Sequence, residues 1–166
     1  MYKHVLIPTD GSALSGEAVS YGAQLAKALG AKVSVLTVGE PFHVFSLEVD
    51  QLEDTPDEYG RHATERAARI LAEAEAIALA AGVTAQTIRV VDDQPYRAII
   101  AAAEKNHCDL IVMASHGRRG ISALVLGSET TKVLTHSTIP VLVYRSKAAA
   151  SRPERRAREA ASAELA

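Results

Sequence analysis

"DLIVMASHGRRGISALVLGS", residues 109–128, opens as an apolar strand-like run over 109–115. It breaks into a polar turn carrying Gly117 and Gly120, then returns through a second apolar run to Gly127-Ser128. An uninterrupted apolar run of this length, bounded by turn residues, suits a strand buried on both faces. Its neighbours decide the fold. Upstream, "PYRAIIAAAEKN" (95–106) has helical spacing with Pro95 in its first turn, and "TAQTIRVV" (84–91) is short and β-branched. Further back, "ATERAARILAEAEAIALAAG" (63–82) reads as an Ala-rich helix closed by Gly82, and "AKVSVLTV" (31–38) as a strand. "AVSYGAQLAKALG" (18–30) reads as a helix stopped by Gly30, and "HVLIP" (4–8) as a strand ended by Pro8. Downstream, a helix is expected near 129–136, with "IPVLVYR" (139–145) as the closing strand.

Five strands alternating with four helices imply an α/β fold. Parallel neighbours need crossover connections, and the crossovers here are helical. The expected architecture is a single open five-stranded parallel sheet, Rossmann-like, with helices on both faces. In such sheets ligands bind at the carboxyl ends of the strands, where the strand order reverses. "PTDGS" after the first strand and "ASHGRRG" after the fourth both sit at carboxyl ends. If those strands are neighbours, the two turns share one crevice.

Length and composition agree. A chain of 166 residues accommodates one substantial core, and 48% hydrophobic with 4% aromatic content means a core of Ala, Val, Leu and Ile. The domain is expected over 1–146, with 147–166 as a charged, Ala-rich, mobile tail lacking an apolar face. A formal net charge of −2 argues against a general nucleic-acid or anionic-membrane binder, since either needs a sustained basic surface. No apolar stretch nears the roughly 20 residues of a membrane helix, and "MYKHVLIPTDGS" turns before a signal-peptide core could form. A cytoplasmic protein is expected. The lone Cys108, just before an apolar run, reads as a buried structural thiol. The acidic stretch 39–62, which holds both Phe residues, is either a flap over the crevice or a mobile loop.

The glycine-bearing stretch lacks the Lys of a P-loop and the G-x-G-x-x-G of a dinucleotide fold. Glycine lets main-chain N–H groups approach a ligand, and a helix N-terminus adds unpaired N–H groups with a favourable dipole. Ser128 can cap the following helix or donate to an anion. Spacing alone leaves two readings open: glycines that merely permit turns, or two jaws that wrap a polyphosphate. His116 invites a general-base role, but the sequence places no nucleophile beside it, so a polar turn residue is the plainer reading and no catalytic residue is assigned. The histidines at 4, 43, 62, 107 and 136 have no metal-ligand spacing.

The ordering "VLIPTDGS", "DLIVMASHGRRGISALVLGS" and "IPVLVYR" resembles the universal stress protein (UspA-like) family over roughly residues 1–145. The most specific element is that family's nucleotide motif: Gly, two residues, Gly, nine residues, Gly, then Ser or Thr. Here it reads Ala114, Ser115-His116, Gly117, nine residues, Gly127, Ser128, so the first glycine is Ala. An Ala is tolerated at that position if its φ is negative and not easily otherwise.

The resemblance implies an ATP-binding type of the family, with main-chain groups of this turn on the phosphates and ribose. Gly117, Gly127 and Ser128 match the motif, the N–H of Glu129 lies beside them, and His116 falls within it. Arg118 would act as a charge clamp on the phosphates. Pro8, Thr9 and Asp10 would line the site from the first strand, Asp10 approaching the ribose or a phosphate-bound magnesium or manganese ion. The main chain near Val38 would read the adenine edge and Met113 would pack on the base. The family also pairs through its last strand, which implies a homodimer through 139–145.

The function so implied is an ATP-binding stress-response regulator whose hydrolysis is slow or absent. The alternatives are an adenine-nucleotide hydrolase or transferase, a nucleotide-free dimeric interaction module, and a cAMP binder.

Overall fold

The computed structural model describes residues 1–41, 56–117 and 126–146. Arg118, most of the 39–62 stretch and the 147–166 tail lie outside the described residues.

The first strand, β1 (His4–Pro8), buries Val5, Leu6 and Ile7 completely, as an apolar run flanked by sheet neighbours should. Helix α1 follows over Ala13–Leu29, five residues earlier than the apolar spacing suggested. Its start is set by a cap rather than by periodicity: Ser12 is extended, and its side chain accepts a hydrogen bond from the Ser15 amide at 3.2 Å. It ends at Gly30, whose φ of 65° supplies the left-handed conformation that terminates the helix. Strand β2 is Lys32–Gly39 and helix α2 is Pro56–Ala80, again seven residues longer at its start than expected. Asp57 and Glu58 sit in the first turn of α2, where the helix dipole favours negative charge. Strand β3 (Ala85–Val91), helix α3 (Pro95–Lys105), strand β4 (Leu110–Ala114), helix α4 (Ser128–His136) and strand β5 (Val141–Tyr144) complete the chain in the expected order.

All strand pairings are parallel, in the order β3-β2-β1-β4-β5. The chain winds outward from β1 through β2 to β3, then crosses back to place β4 on the other side of β1. The order therefore reverses between β1 and β4.

Alternating residues feed two cores. On the α1 and α2 face, Val5, Ile7, Val33, Val35 and Val112 pack with Val19, Ala23 and Ala74. On the α3 and α4 face, Leu6, Leu36, Ile111 and Met113 pack with Ile99, Ala103 and Val133. Among the described residues, no helix is long and apolar enough to cross a membrane.

Small residues seat α1 tightly on the sheet. A Cβ added at Gly22 would lie 2.7 Å from Ile7 Cδ1 and 3.3 Å from Val112 Cγ1, so the helix approaches β1 and β4 at a distance only glycine permits. Gly22→Val is expected to lower stability by about 1–3 kcal/mol through overpacking. Urea unfolding would show a lower midpoint at unchanged slope, whereas an unchanged midpoint would mean that the helix can ride outward freely.

At the opposite end of the sheet from the turns, Asp109 fastens the start of β1. Its carboxylate accepts from the Lys3 amide at 2.8 Å and from the His4 amide at 2.9 Å. Partial burial pushes this carboxyl up, but the amide hydrogen bonds and the nearby His4 charge outweigh it and hold it below the usual carboxylate range. Cys108 beside it is buried, and desolvation together with the Asp109 charge pushes its thiol up to about 11. A thiol so protonated is a poor nucleophile, consistent with a packing role.

Candidate functional site

The crevice forms because three strand pairings stop at different heights. β1 pairs with β2 as far as Pro8↔Leu36, and β4 pairs with β5 as far as Ala114↔Tyr144. β1 and β4 pair only through Val5↔Leu110 and Leu6↔Ile111. From Ile7 and Val112 onward the two central strands part, and the gap opens at the reversal of strand order, where open α/β sheets take their ligands.

One wall comes from the turn after β1. The Thr9 amide donates to Leu36 O at 2.8 Å, and the buried Thr9 hydroxyl meets Ser15 Oγ at 3.0 Å. Asp10 Oδ1 accepts from the Ser12 amide at 3.0 Å, a side-chain turn that delivers the chain into the α1 cap. Turn-shaping is thus one observed role of Asp10. Its other oxygen points across the crevice: a Cβ added at Gly117 would fall 2.5 Å from Asp10 Oδ2. The turns after β1 and β4 meet at Asp10 and Gly117.

The second wall is the turn after β4. Ala114 is the last residue of that strand, buried, with its carbonyl accepting from Thr130 Oγ1 at 3.0 Å. Among the described non-glycine residues only His107 has a positive φ, so the Ala that replaces the motif's first glycine sits in backbone any residue adopts. The Ser115 amide donates to Tyr144 O at 2.8 Å, and Ser115 Oγ lies 3.1 Å from His116 Nδ1.

Gly127 then brings the chain back. Its amide donates to Ser115 O at 2.8 Å, and a Cβ on it would stand 3.1 Å from His116 Cα. Its φ is −61°, so glycine is required here for close approach and not for a left-handed turn.

Of the two uses expected for Ser128, capping the following helix or donating to an anion, the first is not the one found. Gly127 occupies the cap position with no side-chain bond, and Ser128 is the first helical residue of α4. Its exposed hydroxyl lies outside the capping geometry. The Thr131 amide donates to Gly127 O at 2.9 Å, while the amides of Ser128, Glu129 and Thr130 have no acceptor among the described residues. Among the described residues, three main-chain donors thus have no acceptor at the start of α4, at its positive dipole end.

Val38 is placed by strand alternation. In a parallel strand successive residues turn their amide groups to opposite neighbours. Leu36 O accepts from Thr9 on the β1 side, and Gly39 O accepts from Asp92 on the β3 side. Val38 therefore turns its N–H and C=O toward β1, beyond Pro8 where that pairing has ended. Met113 is 6% exposed, within the cluster on the α3 and α4 face.

The side chain of Glu129 has a contact that sequence reading missed. Its Oε2 accepts from the Tyr96 amide at 2.9 Å, and its Oε1 from Lys132 Nζ at 2.8 Å. An acid in a first turn is read from sequence as serving its own helix; a bond to a residue 33 positions away leaves no periodic signal. Among the described residues, no group of three or more His, Cys, Asp or Glu could hold a metal ion.

Residues 1–145 match the universal stress protein family. Universal stress protein YxiE of Bacillus subtilis (strain 168) is 32% identical over 149 residues, which span 87% of this chain and all of that protein. Among solved structures, a universal stress protein in complex with cAMP is 32% identical with a TM-score of 0.67, covering 88% of this chain and 99% of that one. The protein MJ0577 of Methanocaldococcus jannaschii is 30% identical with a TM-score of 0.71, covering 89% of this chain and 98% of that one. Sequence, strand order and glycine turns converge, and this chain belongs to the universal stress protein family.

Proposed function

We propose that this protein binds an adenine nucleotide, ATP foremost, in the crevice between β1 and β4, and works as a stress-response regulator that hydrolyses it slowly or not at all. The observation that carries the reading is the trio of main-chain donors at Ser128, Glu129 and Thr130 that have no acceptor among the described residues, beside glycines at 117 and 127 that keep side chains out of the approach. Such donors at a helix start suit phosphate. On this reading Gly117, Gly127, Ser128 and Glu129 present main chain to the phosphates, with Arg118 adding charge. Pro8, Thr9 and Asp10 border the ribose, and Ala114 and His116 form the floor. The amide pair of Val38 meets the adenine edge and Met113 backs the base.

Asp10 next to phosphates needs a compensating charge. With one carboxylate at this place, a magnesium or manganese ion would arrive on the phosphates, Asp10 contributing a single oxygen donor. His116 Nδ1 is engaged with Ser115 Oγ, and neither acts as a water-activating base in this reading.

A solved relative at 32% identity in complex with cAMP favours a second reading, in which adenine and ribose contacts persist with fewer phosphates. We also infer that the protein is cytoplasmic and dimerises through β5. That strand is an outer strand of the sheet whose four residues, Val141–Tyr144, are all only half-buried.

Calorimetry and thermal unfolding with ATP, ADP, AMP and cAMP, with and without magnesium, test the reading. A nucleotide at a hundredfold excess over its Kd is expected to stabilise the fold by about 2.7 kcal/mol. Neither heat nor a thermal shift with any of the four would overturn it, and cAMP binding without ATP binding would replace it by the second reading.

A further inference from the structure

We propose that Glu129 is a positioning residue for the phosphate grip: its carboxylate ties the first turn of α4 to the first turn of α3 and so keeps the N–H groups of α4 open to the crevice. The inference rests on the nucleotide reading above and assigns to Glu129 a side-chain role distinct from that of its amide.

An acid in a helix's first turn ordinarily folds back toward its own unpaired N–H groups. Folded back here, the Glu129 carboxylate would occupy the very donors a phosphate needs and would add a like charge beside it. Both of its oxygens are engaged elsewhere instead. Oε2 accepts from the Tyr96 amide and Oε1 from Lys132 Nζ.

Helix α3 has its own need for this bond. Gln94 supplies no side-chain cap, and Pro95 has no N–H, so the amide of Tyr96 is the first orphaned donor of that helix. One carboxylate thus satisfies α3 and vacates α4. The Lys132 contact is exposed and adds little energy, but it sets a positive charge against the carboxylate, and the same ammonium lies over the Tyr96 ring of α3 at 5.4 Å from its centroid. Tyr96 is further held by Arg97, whose Nε donates to the Tyr96 hydroxyl at 2.9 Å.

The same turn of α4 thereby carries the phosphate donors on its backbone and the α3 anchor on a side chain. Linkage makes the coupling reciprocal. A nucleotide that fixes the α4 turn should protect the Tyr96 amide from exchange, and loss of the anchor should weaken the nucleotide.

The test is titration of wild type, Glu129→Ala and Glu129→Gln with ATP and magnesium, together with amide hydrogen exchange at Tyr96. Glu129→Ala is expected to raise the Kd about tenfold, within the usual range of such couplings, and to speed exchange at Tyr96. Glu129→Gln keeps an oxygen for the Tyr96 amide and should recover most of both losses.

If wild type binds none of the four adenine nucleotides, the nucleotide reading falls and this inference with it. If wild type binds but Glu129→Ala binds as well or better, only the positioning role falls. A Gln variant as weak as Ala would also overturn it, since charge and not the tie would then matter. Should Glu129→Ala fail to fold, exchange in wild type decides: Tyr96 protection unchanged by saturating ATP rejects the coupling.

Discussion

Gly127→Val is expected to raise the Kd for ATP at least about a hundredfold, equivalent to about 2.7 kcal/mol of lost binding, in a protein that stays folded. The reason is distance. A Cβ at 127 stands 3.1 Å from His116 Cα and 3.5 Å from Ser115 O, and both are main-chain atoms that cannot rotate away. A valine adds two methyl groups beyond that Cβ, so the segments carrying residues 115–116 and 127–128 must separate and the 2.8 Å bond from the Gly127 amide to Ser115 O must stretch. The donors of Ser128 and Glu129 then no longer face the same place as Gly117.

Conformation offers no competing explanation, because φ of −61° at Gly127 is open to every residue. Gly127→Ala, which brings the Cβ alone, should fall between wild type and Val. Circular dichroism and the thermal midpoint establish that the fold survives, and titration calorimetry reads the affinity. Wild-type affinity in a folded Val variant would mean that the nucleotide does not sit against this turn.

The fold was legible in the sequence because each strand is a short apolar run and each helix carries its own period. Both signals come from burial, and burial is what a parallel sheet between two helical layers imposes. The starts of α1 and α2 were less legible. Ala13 to Glu17 and Pro56 to His62 carry few apolar residues, and they are helical because of a hydroxyl cap in one case and first-turn acids in the other.

At the site, the glycine spacing located the two turns, but the reasons each glycine is needed lie across the chain. Gly117 is opposed by Asp10 and Gly127 by His116. Ala114 shows the converse. Whether its departure from the motif matters turns on φ, which the sequence does not encode at a single position and which is unstrained here. The tie from Glu129 to Tyr96 was illegible for a third reason: it is one long-range hydrogen bond, made by a residue whose local position suggested a different use.

The opposition of Asp10 and Gly117 leads to a sharper expectation than either residue alone. Gly117→Ala should weaken ATP with magnesium by about tenfold or more, roughly 1.4 kcal/mol, because the new Cβ would lie 2.5 Å from Asp10 Oδ2 and one of the two must move. Asp10 is the one expected to yield, since a carboxylate rotates more cheaply than a strand-end turn shifts. Its rotation would also disturb the Oδ1 bond to the Ser12 amide that shapes the entry to α1. The loss would then come through displacement of Asp10 from the ribose or the phosphate-bound metal, and not through contact between the new methyl group and the ligand.

A double-mutant cycle separates these routes. Asp10→Ala alone should weaken binding, and adding Gly117→Ala to it should cost little more, because the carboxylate that the methyl group displaces is already gone. Full additivity would place the methyl group against the nucleotide itself and remove Asp10 from the explanation. Repeating the cycle without magnesium divides the role of Asp10 further. A coupling that disappears with the metal assigns Asp10 to the ion, and one that persists assigns it to the ribose.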